Sequence, residues 1–500
     1  MMQIKDAVKT QNILREDIQA YYNKGKYERF LELVNTFAEF TTHFNHEMAD
    51  GTIESLLHDF ACQSIGVRSV AESNEPNNKV VFYDQIGTTI CLGVQYLKGL
   101  VASGFDVYYV FDSPLVDINP ALEKVLCELK VHVKIFDKRY FHNDCISRIS
   151  GVRDYIAGTR AKRLIVHSPA ANSYSSAVLY ALNNIVKYRV VPGDHHFYTG
   201  VNCIDYFYEF REYGVGIANM YRHIPLNKII KLPYYPISET FCDFQGFPKE
   251  ADGKVIILAA GSESKFFGSV LFFNVSKQIL KKYPQTVILY IGRYTKMFVD
   301  FVKDNHLEGR FILLGYRNDF NHCMSHCDIL LGSYPMAGGL VSQIAALYKK
   351  PIIGIKENED LAMFNNLEAI MGIGEDLGIT HNVNEDLFDY ADKLITDEEY
   401  RKACGNRLFE LMFREREFSM RLKATLLNPA EDTHETYRED IVKKNKEHFS
   451  NYCLKLQNER RPNSIAPLYK FYGILFFIKY PYFTRDCLRL MIQHLMDRIV

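Results

Sequence analysis

The spacing of apolar residues changes along the chain and separates helical ends from a central region of mixed strands and helices. In residues 1–75 the large apolar side chains recur at intervals of three and four, a period typical of amphipathic helices. They are Ile18, Tyr21, Tyr22, Tyr27, Phe30, Leu31 and Val34. We therefore expect a helical N-terminal extension that ends near the turn-forming SNEPNN cluster at residues 73–78.

From residue 79 onward, short apolar runs alternate with helix-length segments. The predicted strands are 79–84, 106–111, 131–136, 163–168 and 188–191, and the predicted helices are 88–103, 120–129, 145–157 and 175–186. Such alternation favours a parallel sheet with right-handed crossovers, so residues 76–238 are predicted to form a Rossmann-like domain. The prolines of IPLNKIIKLPYYPIS (224–238) indicate a crossing segment, because proline stops both helices and inner strands.

The alternation then starts again. Strands are predicted at 254–261, 286–292, 310–315, 328–332 and 351–355, with helices at 267–282, 295–305, 319–327 and 340–347. We expect a second Rossmann-like domain over residues 239–427 and a helical C-terminal extension over 428–500. The predicted fold class is α/β, with two Rossmann-like domains facing a cleft, and ligands of such sheets bind at the carboxyl ends of the strands.

Composition narrows the functional classes. Charged residues make up 24% of the chain and the net charge is −1, which gives no electrostatic reason to expect a nucleic-acid partner. Eleven cysteines without a recurring spacing, and no apolar leader, indicate a cytoplasmic protein with reduced thiols. No uncharged apolar run reaches the ~18 residues that a membrane span requires.

The aromatic stretch PLYKFYGILFFIKYPYF is a candidate for peripheral contact with the inner face of a membrane or with a partner subunit. Packing against the first domain is the favoured alternative.

Two features of the second domain indicate a binding site for an anion. Gly338 and Gly339 lie between a predicted strand and a helix, where bare N–H groups and the positive end of the helix dipole attract phosphate. Lys265, in GSESKFFG, follows another strand of the same domain and can place a charge against a diphosphate. Alone, Lys265 reads as a solvated loop lysine. Together the two features predict a seat for the diphosphate of a nucleotide sugar, with Lys265 stabilising the leaving group.

Several phrases of this domain are similar to phrases that follow one another in the same order in a known family: ILKKYPQTVILYIGR, RFILLGYRNDF, the Pro-x-x-Gly-Gly turn at 335–339 and DEEYRKACGNRLFELMFREREFS. Residues 254–426 thus resemble the nucleotide-sugar-binding half of GT-B glycosyltransferases, and among these the catalytic domain of O-linked N-acetylglucosamine transferases. The resemblance implies that Tyr316 and Arg317 lie beside the base. It also implies that the phosphates contact Lys265, Gly338, Gly339, Leu340 and Ser342.

The sequence also departs from that family. A histidine and two threonines normally follow the turn glycine, whereas Ser342 is the first hydroxyl here, so the donor sugar stays open. Retaining GT-B enzymes usually have two glutamates around this turn, but no glutamate lies between residues 328 and 350. This favours an inverting reaction.

The first domain contains the candidate groups for the acceptor. VPGDHHFYTG follows a predicted strand, so Asp194, His195 and His196 are expected at the cleft edge. An inverting transferase needs a base with a pKa near 7, and a carboxylate can orient the imidazole. Alternatively, one histidine bonds a backbone carbonyl and shapes the loop. His167 is a second candidate base, and Gln85 and Gly87 are candidates for contact with the acceptor side.

The phrase NHCMSHC at residues 321–327 invites a metal site, but neighbouring pairs on one helix point about 100° apart. We therefore expect no metal and no cofactor, and cysteines packed inward. The sequence predicts a metal-independent, inverting glycosyltransferase that moves a sugar from a UDP donor to a hydroxyl of a glycan or protein. Two alternatives stay open: a nucleotide-sugar epimerase, which needs carboxylates, and a degenerate scaffold that activates a partner glycosyltransferase.

Overall fold

The computed structural model describes residues 4–72, 77–87, 92–113, 117–136, 144–237, 242–357, 377–429, 436–459 and 465–483. Its longer helices in chain order are α1 Ile4–Asn23, α2 Tyr27–Phe44, α3 Gly51–Phe60, α4 Leu92–Ala102, α5 Pro120–Glu128, α6 Cys145–Gly158, α7 Ser173–Tyr180, α8 Glu212–Arg222, α9 Leu271–Lys282, α10 Lys296–Asp304, α11 Phe320–His326, α12 Gly339–Leu347, α13 Leu387–Thr396, α14 Glu398–Leu411, α15 Glu415–Leu427, α16 Glu439–Glu459, α17 Ile465–Tyr472 and α18 Leu475–Lys479. The strands are β1 Arg68–Ser69, β2 Lys79–Asp84, β3 Asp106–Asp112, β4 His132–Phe136, β5 Arg163–His167, β6 Leu182–Asn183, β7 Val186–Val190, β8 Tyr206–Glu209, β9 Ile229–Lys231, β10 Val255–Ala260, β11 Thr286–Ile291, β12 Phe311–Gly315, β13 Ile329–Leu331, β14 Ile352–Lys356 and β15 Thr380–Asn382.

The first sheet is parallel throughout its seven described strands, in the order β4-β3-β2-β5-β7-β8-β9. All five strands predicted from the sequence belong to it, and β8 and β9 were missed. The prediction for the crossing segment 224–238 was incomplete, because Ile229–Lys231 within it forms β9. This strand lies at the sheet edge, where flanking prolines remove no ladder hydrogen bond. The predicted helix 175–186 instead ends at Tyr180.

The second sheet is also parallel and has the order β12-β11-β10-β13-β14-β15. Its central strand β10 alternates between two cores: Ile257 and Ala259 point into one, and Leu258 and Ala260 into the other. Burial on both faces explains the continuous apolar runs from which these strands could be predicted. The three-residue strand β15 was not predicted.

The chain ends complete the first domain. One face of the first sheet shares a core with the N-terminal helices and with the aromatic residues of 465–483, among them Leu31, Val81, Val166 and Phe476. One side of the aromatic stretch therefore packs inward, whereas Ile474, Leu475 and Ile478 are exposed, and residues 484–500 lie outside the described residues. Among the described residues, no helix combines the length and the apolar character needed to cross a bilayer.

The opposite face of the first sheet is covered by a helix that follows the second sheet in the chain. Phe418 and Leu422 of α15 pack beside α4, and the side-chain hydroxyls of Tyr208 and Thr425 lie 2.9 Å apart. The chain thus crosses back to the first domain after it completes the second. This return connects the two domains a second time.

Candidate functional site

Lys265 lies just beyond the carboxyl end of β10, on a 3₁₀ turn over Glu263–Phe266. The neighbouring Phe266 is fully buried and packs against Phe272 and Tyr290, with ring centroids 4.6 and 5.5 Å away. This aromatic anchor fixes the turn on the sheet. It therefore holds the lysine at the sheet edge that faces the cleft.

The Lys265 ammonium reaches the glycine turn that precedes α12. Its Nζ donates to the Ala337 carbonyl at 3.0 Å and lies 3.5 Å from the point where a side chain on Gly338 would begin. The backbone of the two segments is joined as well, because the Met336 N–H donates to the Lys265 carbonyl at 3.2 Å. Burial, and next the repulsion from Arg211, lower the pKa of Lys265 to about 8. At neutral pH the ammonium is charged but poorly solvated, which strengthens its attraction to an anion.

Helix α12 begins at Gly339, and its N-cap residue Gly338 provides no side-chain cap. The first N–H groups of a helix have no intrahelical partner, so this end carries bare donors beside the Lys265 ammonium. The Ser342 hydroxyl is buried and donates to the Gly338 carbonyl at 2.9 Å. Leu340 packs against the core of the first domain. The structure therefore brings Lys265 together with the backbone of Gly338 and Gly339, whereas the Ser342 hydroxyl points back into its own helix.

The segment predicted to lie beside a base follows β12. The Arg317 guanidinium forms a two-pronged ion pair with Asp319, at 2.6 and 2.5 Å, and also donates to the Gly246 carbonyl at 3.1 Å. The side chain thus ties this segment to the loop before β10. Tyr316 is 65% exposed. The contact of this segment with a base stays a prediction, which would involve backbone groups rather than the Arg317 charge.

Asp194 lies at the opposite side of the cleft, in the loop after β7. Its carboxylate accepts hydrogen bonds from Arg211 at 2.5 and 3.1 Å, and both side chains are almost fully buried. Although burial opposes ionisation, the Arg211 charge and the hydrogen bonds hold the pKa of Asp194 well below its usual range. Asp194 therefore stays ionised and is a poor proton acceptor. The geometry therefore favours Asp194 as the group that orients His195 rather than as the proton acceptor, and its part in catalysis stays a prediction.

The two histidines of the same loop have different surroundings. Burial, with repulsion from His195 and Arg222, lowers the pKa of His196 to about 3, so this ring stays neutral and cannot hold a proton at pH 7. The His195 side chain is 24% exposed, and its Nδ1 lies 3.4 Å from the Asp194 carboxylate. The His195 ring thus has a carboxylate at its Nδ1 and keeps access to solvent. The structure thus favours His195 over His196 as a base.

The remaining acceptor-side candidates lie at the ends of β2 and β5. His167 Nδ1 is 2.9 Å from the Asp84 carboxylate, both side chains are buried, and Asp84 also accepts from the Tyr109 hydroxyl. Gln85 is buried and donates to the Tyr83 hydroxyl at 3.0 Å. Gly87 has a positive φ of 63°, and a side chain there would meet the Phe111 ring at 2.6 Å. These residues are therefore packed into the carboxyl edge of the first sheet, and their contact with an acceptor stays a prediction.

The sequence reasoning missed the polar cluster at the end of β8. Glu209 pairs with Arg222 at 3.3 Å, and Arg222 also donates to the backbone carbonyl of Asp194 at 2.7 Å. Burial raises the pKa of Glu209 to about 8, despite the nearby arginine charges. The signal was the charged phrase YEFREYG, which becomes informative only when YFYE is recognised as a strand.

The histidine and cysteine phrase of 321–327 forms α11. Cys323 and Cys327 are buried, while His326 stacks on Phe244 with ring centroids 4.1 Å apart. The side chains thus diverge from the helix axis instead of converging. Within the described ranges, no group of three or more histidine, cysteine or acidic side chains is placed to hold a metal ion.

The geometry can now be set beside known proteins. No family model and no curated protein sequence matches this chain. Among solved structures, HepE of Anabaena in complex with UDP-glucose gives a TM-score of 0.52 at 15% identity, covering 70% of this chain and 99% of that one. Its complex with UDP and glucose gives 0.51 with the same identity and coverage.

The chain has the GT-B fold. The predicted architecture of two Rossmann-like domains facing a cleft is therefore confirmed. An O-GlcNAc transferase mutant of Thermobaculum terrenum also matches, at 13% identity over 89% of this chain and 84% of that one, with a TM-score of 0.47.

Proposed function

We propose that this GT-B protein is a glycosyltransferase that binds the diphosphate of a nucleotide sugar between Lys265 and the first turn of α12. The observation that carries the proposal is the 3.0 Å contact of the Lys265 ammonium with the turn leading into the uncapped helix end at Gly338. A partly buried cation and bare N–H groups at one sheet edge are complementary to a pyrophosphate. They can also stabilise the negative charge that develops on a leaving nucleoside diphosphate.

We take UDP as the nucleotide to test first, because HepE, which has the same fold, was crystallised with UDP and with UDP-glucose. In the proposed reaction the acceptor oxygen attacks the anomeric carbon while His195 takes the hydroxyl proton. The bond from that carbon to the diphosphate oxygen breaks, and UDP leaves with the electron pair. Asp194 would orient the imidazole and stabilise its charged form. A single displacement of this kind inverts the anomeric centre and needs no metal if Lys265 and α12 supply the positive charge.

The acceptor is a hydroxyl of a glycan or a protein in this proposal. A nucleotide-sugar epimerase would need carboxylates that can take a proton from a sugar C–H group. Asp194 is held ionised by Arg211, and Glu209 is fully buried beside Arg222, so neither carboxylate is placed to reach a sugar C–H group, which counts against that reading. The scaffold reading is supported by one observation, namely that the Ser342 hydroxyl is turned into its helix.

Thermal shift and UDP release separate these functions. We expect UDP to stabilise the wild-type protein and expect Lys265→Ala to abolish the shift, while Lys296→Ala behaves like wild type. Lys296 is the matched control because it belongs to the same domain but is 85% exposed and pairs with Asp300. His195→Ala should keep the UDP shift and lose the release of UDP from UDP-sugars. Stabilisation without any release would support a scaffold, and equal stabilisation of wild type and Lys265→Ala would refute the donor site.

A further inference from the structure

Helix α16 is anchored on the first domain by its N-terminal half. Val442 packs so closely on α8 that a side chain at Gly216 would meet it at 2.5 Å. Lys446 and Ser450 both donate to the Asn45 carbonyl, the latter at 2.7 Å. Just before the helix, the Tyr437 hydroxyl donates to the Asn219 side chain at 2.7 Å. These contacts fix the start of α16 on the acceptor side of the cleft.

The next turns of the same helix contact both segments of the proposed diphosphate seat. The Tyr452 hydroxyl donates to the Phe267 carbonyl at 2.9 Å, two residues after Lys265. Its ring covers Gly268 so closely that a side chain there would begin 2.9 Å from the ring, and Gly268 has a positive φ of 83°. Met336, two residues before Gly338, packs into the small core formed by Phe449, Tyr452 and Cys453. Tyr452 therefore supports the seat without being part of it.

One turn earlier, α16 contacts the proposed base. The Phe449 ring meets the His195 ring edge-on, with centroids 5.0 Å apart, and its centroid is 6.2 Å from that of Tyr452. The Asn45 side-chain amide, next to the anchor of the helix, donates to the backbone carbonyl of His195. A single helical turn thus joins the base on one domain to the Lys265 loop on the other. Residues three apart lie on one face of a helix, so the two rings project from the same side of α16.

We propose that α16 is a positioning element in which Tyr452 fixes the Lys265 loop and Phe449 fixes the His195 ring, so that donor seat and base keep their register. The inference rests on the proposed function and extends it to a helix outside both Rossmann-like domains. Effective transfer requires base, acceptor and donor to be held within a fraction of an ångström. A hydroxyl that never touches the donor should therefore influence donor affinity.

Tyr452→Phe removes only the hydroxyl that holds the Phe267 carbonyl. We expect the UDP dissociation constant, measured by calorimetry, to rise about fivefold, as expected when one hydrogen bond of ordinary strength is lost. Amide exchange of the 261–270 peptide should become faster as its loop loosens. Tyr437→Phe is the matched control, because it removes a hydroxyl bond of similar length next to the same helix but away from the cleft. It should leave both quantities unchanged.

Phe449→Leu tests the acceptor side. We expect it to leave the UDP dissociation constant unchanged, to lower kcat, and to shift the pH profile of transfer, because the His195 ring loses its edge contact. The inference is overturned if Tyr452→Phe exchanges its 261–270 peptide like wild type, whatever the protein binds. If that exchange is faster but wild type does not bind UDP, the positioning of the loop stands and the proposed function fails. If wild type binds UDP and Tyr452→Phe binds it equally well, the function stands and α16 has no positioning role.

Discussion

The ion pair between Asp194 and Arg211 allows the structural reading of Asp194 to be separated from a catalytic one. The two side chains are 1% and 5% exposed and share hydrogen bonds of 2.5 and 3.1 Å. Asp194→Asn keeps the shape and one acceptor but leaves the Arg211 charge without its counter-charge. Removing one partner of a buried pair costs about 3–5 kcal/mol, and the retained acceptor places this substitution at about 3 kcal/mol.

The free energy of unfolding, followed by circular dichroism in urea at pH 7, measures this cost. The depressed pKa of Asp194 means that the pair contributes fully above the unfolded-state pKa and is lost only as pH falls below it, so pH 7 reports the whole effect. Asp300→Asn is the control, since its pair with Lys296 at 2.9 Å is exposed to solvent and should contribute little to stability. If Asp194→Asn were no more destabilising than Asp300→Asn, the buried pair would not stabilise the fold and our structural reading of Asp194 would be wrong, whatever the effect on transfer.

The other predictions concern the seat and the pH dependence. Gly338→Ala should fold normally, since the φ of Gly338 is −108°, but its methyl group would lie 3.5 Å from the Lys265 ammonium. We therefore expect the affinity for UDP, measured by calorimetry, to fall about tenfold. An unchanged affinity would contradict the proposed diphosphate site. Burial lowers the pKa of His43 from 6.5 to about 4, so the unfolded chain binds its proton first and stability is lost as pH falls from about 6.5 towards 4. The full loss for His43 is about 3 kcal/mol. Melting temperatures between pH 7 and pH 5 should therefore decline, less steeply in His43→Gln, and equal slopes would refute the assignment.

The sequence predicted the two sheets because most of their strands are buried on both faces and read as continuous apolar runs. β8 and β9 escaped notice for physical reasons. β9 has three residues between prolines, which only a sheet edge tolerates. β8 has only four residues, which is at the lower limit of length for recognising a strand from an apolar pattern. Missing β8 also hid Glu209 and Arg211, which end that strand and follow it.

The approach of Lys265 to Gly338 could be predicted, because both follow strands of one parallel sheet and such ends meet at one edge. The difference between His195 and His196 could not. It depends on which ring is repelled by the Arg222 charge and which lies against Phe449 of α16, and these residues come from distant parts of the chain. The hydrogen bond from Arg317 to the Gly246 carbonyl could not be predicted from the local sequence either.

A crystal structure of the wild-type protein with UDP tests the central claim most directly. Our account predicts diphosphate oxygens within about 3 Å of the Lys265 ammonium and of the backbone N–H groups at the start of α12. A nucleotide bound elsewhere in the cleft, with Lys265 still donating only to the Ala337 carbonyl, would contradict it.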